Sequence, residues 1–496
     1  MRRSLLSLLS DTAVYGLGRV LSRLLNFLLL PLYLVYLEPA EFGIVALLAI
    51  CITVFEPLAS AGMPSALYRR FNVTKDRTER EAVFSTACVT STVATGGLFL
   101  LGFALAPAIA RLMIDDASAE SVTLVELTLA TAALNALAAA PRAVLRGLRR
   151  ARLVAGLSLG TAVVIGATTL TLLALGYGAK GAVLGLLCGT AVHTAVAVAV
   201  TLPWFRPRLG YKTLSEMVRY GLPFVPHDLI SAALASVGQY VVGARLGLVE
   251  AGHYSIASRF ALPVGLAVNA LVTAWGPFKF EVHATHEKPK DFFRSVTTYY
   301  AAAVGMFWVL ITFAGREFIL LATEPRYHPA AGLVSVLAGA HVVRGLYSLF
   351  SSGFELGSDT RSLPLVSALG LAVTAPAALL AAEYWGAFGV GLSMVLGVSV
   401  MTTAIHGLAK RRIEIPYAWN LLLLLLLLVL ACLGALELGR SLDTRWRVVS
   451  GLLVCVAYPL MAYRVLMSNK TERGRLERAR AGLVKRLRER LAPNTH

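Results

Sequence analysis

Fourteen runs of predominantly apolar residues, each bounded by charged or Gly/Pro-marked breaks, recur along the chain near 12–37, 42–66, 83–106, 121–141, 153–175, 181–203, 221–245, 254–277, 296–314, 332–354, 363–382, 387–408, 419–438 and 447–465. A bilayer-spanning helix needs roughly 20 such residues, and in hydrocarbon a chain must satisfy its own backbone groups. The runs therefore predict an all-α polytopic membrane protein with about 14 transmembrane helices. With 57% hydrophobic and 15% charged residues over 496 positions, almost no chain is left for a soluble domain.

An even number of spans puts both termini on one side. Of the 46 Lys and Arg residues, 34 fall on the termini and even-numbered loops, 8 on odd-numbered loops and 4 inside spans. The positive-inside rule makes the termini cytoplasmic. Clusters such as Arg69, Arg70, Lys75, Arg77 and Arg80, or Arg142, Arg146, Arg149, Arg150 and Arg152, read as orientation signals beside anionic membrane lipids. The net charge of +18 is thus topological, and nucleic acid is not an expected partner. In the tail, Leu476, Ala479, Leu483, Leu487 and Leu491 recur among basic residues, which predicts a basic amphipathic helix on the inner surface. Docking of that tail on a cytoplasmic partner enzyme is the alternative.

Several enzyme classes are excluded. The five cysteines lie in apolar stretches without a CxxC pair, so neither a disulfide framework nor a metal site is expected. Gly176, Gly178 and Gly181 match GxGxxG, but in a helix–helix turn with no preceding strand, and no GxxxxGK[ST] occurs. Neither a nucleotide cofactor nor direct ATP coupling is expected. External loops are short, the longest near 315–331, which leaves no room for acidic catalytic residues above the bilayer. The expectation is a protein that is not an enzyme.

Seven ionisable residues remain inside the runs: Arg19, Arg23, Arg259, Arg344, Glu56, Glu126 and Asp228. Each costs roughly 2.5–3.5 kcal/mol at a helix centre, so each should face a cavity or a partner. Were Arg23 only to snorkel, the fourteen residues Leu24 to Leu37 would be too few to span. Gly16, Arg19, Arg23, Asn26 and Tyr33 follow helical steps and form one polar stripe, with Leu21, Leu25 and Leu28 off it. Two guanidiniums one turn apart suit an anionic group such as a diphosphate; pairing with intramembrane carboxylates is the alternative for each. Gln239 continues the polar face begun by Asp228 and Ser231, and Arg344 shares a face with His341 and Ser348. Glu56 precedes Pro57, which predicts a kink carrying an acidic, proton-accepting site, a plain buried hydrogen-bonding carboxylate being the alternative. Glu56 and Asp228 are the candidates for coupling to H+ or Na+. Gly156 and Gly160, and Gly181, Gly185 and Gly189, predict close helix packing.

The two halves echo each other: Phe42-Gly43-Ile44 follows the first run and Tyr254-Ser255-Ile256 the seventh. This predicts two six-helix lobes in parallel pseudo-two-fold repeat, 1–203 and 204–408. Two appended helices over 409–465 and the tail 466–496 complete the expected organisation. The stretch Leu37-Glu38-Pro39-Ala40-Glu41-Phe42-Gly43, then Gly62 and Ala66-Leu67-Tyr68-Arg69-Arg70, resembles the opening of polysaccharide-biosynthesis flippases. Gly252-His253-Tyr254-Ser255-Ile256-Ala257-Ser258-Arg259, followed by Trp275-Gly276-Pro277-Phe278, resembles a later stretch of the same family. These are Wzx-like O-antigen transporters of the multidrug/oligosaccharidyl-lipid/polysaccharide exporter superfamily. The resemblance implies alternating-access movement of an undecaprenyl-diphosphate-linked oligosaccharide to the external leaflet of a bacterial inner membrane, with a cationic cavity, Arg259 at a position often basic, and a polysaccharide polymerase or glycosyltransferase as partner. A lipid II-type flippase, a drug/cation antiporter of the same fold and, from the enzyme class, a membrane glycosyltransferase or ligase are the rival readings.

Overall fold

The computed structural model describes residues 18, 21–74, 76–206, 210–285, 289–356, 363–411, 413–469, 472–474 and 477. Its helices, in chain order, are α1 (Leu21–Tyr36), α2 (Pro39–Ser60), α3 (Met63–Val73), α4 (Arg77–Ala104), α5 (Ala106–Ile114) and α6 (Ala119–Gly147). There follow α7 (Ala151–Ala174), α8 (Gly178–Thr201), α9 (Tyr211–Gly221), α10 (Phe224–Leu246), α11 (Leu248–Thr285) and α12 (Pro289–Ala322). The last are α13 (Val334–Phe350), α14 (Ser352–Glu355), α15 (Leu363–Lys410), α16 (Trp419–Leu438) and α17 (Thr444–Ser468). Among the described residues there is no strand, and twelve helical stretches are long and apolar enough to cross a membrane. The 48-residue α15 breaks at Gly386 (φ 59°, ψ −148°) and so supplies two of the expected runs, while α1 supplies the first. The fold is all-α, and the twelve candidate spans among the described residues, with α1 and the break in α15, come close to the expected 14.

The helices sort into two compact units. The first holds Met1–Ile256, Ala322–Pro329 and Leu371–Ser393; the second holds Ala257–Leu321, Ala330–Gly370 and Met394–His496. In the first unit, one buried cluster gathers Leu48, Phe55, Val125, Leu129 and Val183, and another Met63, Leu67, Phe71, Phe84, Val144 and Met217.

The echoed turns meet within this first unit. A Cβ on Gly43 would overlap the Leu248 carbonyl oxygen, and one on Gly252 the Pro39 carbonyl oxygen, so α2 and α11 start in backbone contact. Glu41 ties the start of α2 to the start of α8: one carboxylate oxygen accepts from Glu38 N–H at 2.9 Å and the other from Ala179 N–H at 3.2 Å. His253 Nε2 donates to the Arg326 carbonyl at 2.8 Å, and the Tyr327 hydroxyl donates to the Leu37 carbonyl. A second backbone contact, Gly62 against Gly221, joins the α2–α3 bend to the end of α9.

Gly185 and Gly189 behave as expected, since Thr169 and Ile165 of α7 occupy the space a Cβ would need. Gly156 and Gly160 do not: no atom lies within 4 Å of a Cβ built on either. They line an open, mainly apolar groove of about 340 Å³ between α7 and α8, with Arg152 at its end. Spacing alone marks a helix face with no side chains; whether a neighbour uses that face depends on where the partner helix diverges.

In the second unit, α16 and α17 are fastened to α12. Arg316, buried near the end of α12, donates to the Leu436 carbonyl at 2.7 Å, and Arg447 Nε reaches both oxygens of Glu317 at 3.0 and 3.1 Å. The loop expected from 315 is therefore a continuation of α12. Of the leucine run of α16 only Leu421 and Leu425 are buried, on a seam continued by Val429, Cys432 and Leu436. Trp275 stacks edge-on against Phe293 at 5.2 Å and donates to Ser352 Oγ at 2.8 Å. Past α17, buried Glu472 accepts from Ser295 Oγ at 2.9 Å and Tyr299 OH at 2.8 Å. The predicted tail helix lies almost wholly outside the described residues.

Gly43→Ala should lower stability by about 1–3 kcal/mol, because the added methyl meets backbone and not a movable side chain. A thermal unfolding curve in detergent measures it, and Gly156→Ala, facing open space, should leave the curve unchanged.

Candidate functional site

Helix α1 shows which way the membrane lies. Leu21, Leu24, Leu28, Leu32 and Val35 are all exposed, and at about 100° per residue they fall within an arc of roughly 80°. Arg23 and Asn26 are exposed too, yet they lie about 140–160° from the centre of that arc. Their sector is the one that further along buries Leu30, Tyr33 and Leu34. Gly18 packs against Ala155 and Leu29 against Gly166, which sets α1 along α7. The polar stripe is thus the protein-facing side of α1, open at its Arg23 end and closed at its Tyr33 end. Arg19, expected on the same stripe, lies outside the described residues.

Glu56 and Arg142 form an ion pair in the first unit. Arg142 Nη2 sits 2.7 Å from Glu56 Oε1 and 3.1 Å from the Asn135 carbonyl oxygen. The sequence reading ends the fourth run at Pro141 and assigns Arg142 to a loop. The structure corrects this: α6 runs through Pro141 to Gly147, so Arg142 is a helical residue facing α2. Glu56 is accordingly the anionic half of a pair, with both side chains partly exposed. The signal that could have found it was the pairing rule itself, since a carboxylate inside an apolar run calls for a base at similar depth.

The remaining candidates divide between the units. Asp228 is exposed on α10. Gln239 donates from Nε2 to the Ala251 carbonyl at 2.9 Å and so ties α10 to the first turn of α11. In the second unit, Arg259 is half-buried on α11 and Arg344 exposed on α13. His341, one turn before Arg344, packs its ring on Gly265 of α11. Lys279, read as a loop residue beyond the eighth run, is buried on α11 and ion-paired to Glu355. Trp275, Lys279 and Val282 are one buried stripe at helical spacing. The charge ended the run in the sequence but not the helix. Among the described residues, no group of three His, Cys, Asp or Glu side chains is arranged to hold a metal ion.

A long all-helical chain with twelve membrane-length apolar stretches among its described residues is a polytopic membrane protein, and solved structures share its fold. The lipid II flippase MurJ in an inward closed conformation superposes with TM-score 0.71 at 14% identity, covering 92% of this chain and 99% of its own. An inward-facing multidrug resistance MATE family transporter of the MOP superfamily gives 0.58 at 18% identity, over 79% and 94% of the two chains. The Vibrio cholerae MATE transporter VcmN in its bent form gives 0.52 at 16%, over 82% and 96%. No curated protein matches the sequence. The family model described as polysaccharide biosynthesis protein matches residues 8–283. The chain belongs to that family.

Glu56→Gln and Arg142→Gln, alone and together, should show a coupling energy of about 0.5–3 kcal/mol in a thermal-unfolding cycle, the range for residues in direct contact. Strict additivity would mean that the pair does no joint work.

Proposed function

We propose that the protein is a flippase that moves an undecaprenyl-diphosphate-linked oligosaccharide repeat unit from the cytoplasmic to the external leaflet of the inner membrane. It works by alternating access, in polysaccharide or O-antigen biosynthesis, with both termini cytoplasmic. The observation that carries this reading is the placement of Arg23 and Asn26 on the protein-facing sector of α1, opposite the exposed leucines. A guanidinium kept off the lipid face, yet not buried, is suited to an anionic group that arrives and leaves. Arginine offers a planar fork of donors that matches phosphate oxygens, and its charge persists at any physiological pH. Arg19, Arg23 and Arg259 are assigned to the diphosphate, and Asn26, Gln239 and Arg344 to hydroxyl-rich glycan.

Coupling to H+ or Na+ is assigned to Glu56 or Asp228. For Glu56 the pairing supplies a rationale: a proton or cation that neutralises the carboxylate releases Arg142 from its 2.7 Å contact. No cofactor is required. The likeness to MurJ over 92% of this chain favours one second reading, a lipid II-type substrate, which carries the same diphosphate. An antiporter of organic cations is less well supported, because a cation has no use for Arg23.

Replacing both Arg19 and Arg23 with Ala should abolish polymer export, by at least about tenfold for each charged hydrogen bond lost, while membrane insertion is preserved. Export is measured as surface polysaccharide in cells lacking the wild-type copy. Normal export from the double variant would sink the assignment.

A further inference from the structure

The motif Ala66-Leu67-Tyr68-Arg69-Arg70 has no part in the transport site, and its surroundings point to a second ligand. Helix α2 has 22 residues, about 33 Å at 1.5 Å per residue, which already fills a hydrocarbon core of roughly 30 Å. The chain then turns through Ala61 and Gly62, both with positive φ, and α3 begins at headgroup depth. Helix α9 lies beside it. It turns Met217 into the cluster of Met63, Leu67 and Phe71, and leaves Lys212, Ser215, Glu216 and Arg219 exposed.

Between α3, α9 and the start of α4 is a cavity of about 370 Å³. Its frame is fixed. The Gly62–Gly221 backbone contact holds α9 against the bend, and Arg70 is ion-paired to Glu216 and, at 3.2 Å, to Glu79. Each of those carboxylates meets Arg70 through one oxygen, Glu216 Oε2 and Glu79 Oε1. Arg69 lies with its guanidinium carbon 4.4 Å from the centre of the Tyr220 ring. Stacking orients the guanidinium plane and keeps its N–H edge for a planar or tetrahedral anion. The cavity lining therefore offers a cation, Arg69, and the carboxylate oxygens of Glu79 and Glu216 that Arg70 leaves over. Val73, which also lines it, is 76% exposed and provides apolar surface beside the opening.

A ligand that complements both signs at headgroup depth, with apolar chains leaving over Val73, is a zwitterionic phospholipid. We propose that this pocket binds the phosphoethanolamine headgroup of an aminophospholipid, its phosphate on Arg69 and its ammonium on the second oxygens of Glu79 and Glu216, those not taken by Arg70. A phosphocholine ammonium has no N–H to give the carboxylates, and a phosphoglycerol headgroup has no cation. The site therefore selects among lipids by hydrogen-bonding chemistry and not by net charge.

The test uses the full chain purified in detergent, with bound lipid read by native mass spectrometry against phosphatidylethanolamine, phosphatidylcholine and phosphatidylglycerol of the same acyl chains. The expected result is preference for phosphatidylethanolamine by about tenfold, lost in Arg69→Ala and reduced toward the phosphatidylcholine level in Glu79→Gln/Glu216→Gln. Arg69→Gln, which keeps a stem over Tyr220 without the charge, is read beside Arg69→Ala, and lipid-free unfolding temperatures identify any variant that has lost its fold. Equal binding of phosphatidylglycerol, or undiminished preference in folded Arg69 variants, overturns the proposal. A free phosphoethanolamine arm separates the sources: displacement of the lipid by the soluble headgroup at equal concentration overturns a lipid-specific site, and failure to displace supports it.

Discussion

Charge inside an apolar helix is the constraint on which the rest of this molecule depends. Removing a carboxylate or guanidinium from water costs several kcal/mol unless a partner or water is at hand, and the protein answers in two ways. Several charges near the ends of the spans are matched across helices: Arg142 with Glu56, Lys279 with Glu355, and Arg447 with Glu317 beside Arg316. Each match also fixes which helices are neighbours, because a pair broken by a register slip would strand both charges. Arg23 is treated differently. It is left exposed on the sector of α1 that faces protein, where water or a visiting anion must satisfy it.

Helix contacts obey a second rule, that backbones approach where side chains are absent. Lipid tails are as apolar as leucine, so association rests on close packing and polar contacts instead of the hydrophobic effect. Gly43 against Leu248, Gly252 against Pro39 and Gly62 against Gly221 are contacts of this kind. The first two lie where the echoed turns cross, and Glu41, His253 and Tyr327 surround them with hydrogen bonds. Conserving volume at such a crossing would not suffice, since what the glycines supply is access to carbonyl oxygens. The open faces of Gly156 and Gly160 are the counterexample: small residues permit contact, and geometry decides whether it is made.

Much of the fold is legible in the sequence because bilayer thickness imposes a length on every apolar run, and all fourteen runs have helical counterparts. The polar stripe of α1 is legible for the same reason, as a departure from uniform apolarity at helical spacing. What periodicity alone misses lies at run ends. Arg142, Lys279 and Arg316 each stop a hydropathy window while the helix continues, since hydropathy measures transfer cost and helical backbone bonding does not depend on it. Only the position of a partner on a distant segment distinguishes a charge that ends a span from one buried near its end. The short helices α3 and α9 are missed for a related reason: amphipathic turns rich in Lys, Arg and Glu read as loops until a neighbour buries their apolar side.

The basic clusters beside the spans, expected as orientation signals, are structural parts as well. A positive loop is retained on the cytoplasmic side through its charge alone, which leaves hydrogen-bond geometry free for other use. Arg70 bridges α3 to α4 and α9, Arg80 Nε donates to the Thr74 carbonyl at 2.7 Å, and Arg77 lies over the Trp204 ring at 5.4 Å. Lysine would serve topology equally well at these positions but lacks the planar group that stacks on a ring while bonding at its edge. The prevalence of arginine here thus follows from packing at headgroup depth, where a side chain must meet aromatic faces, carbonyl oxygens and carboxylates together.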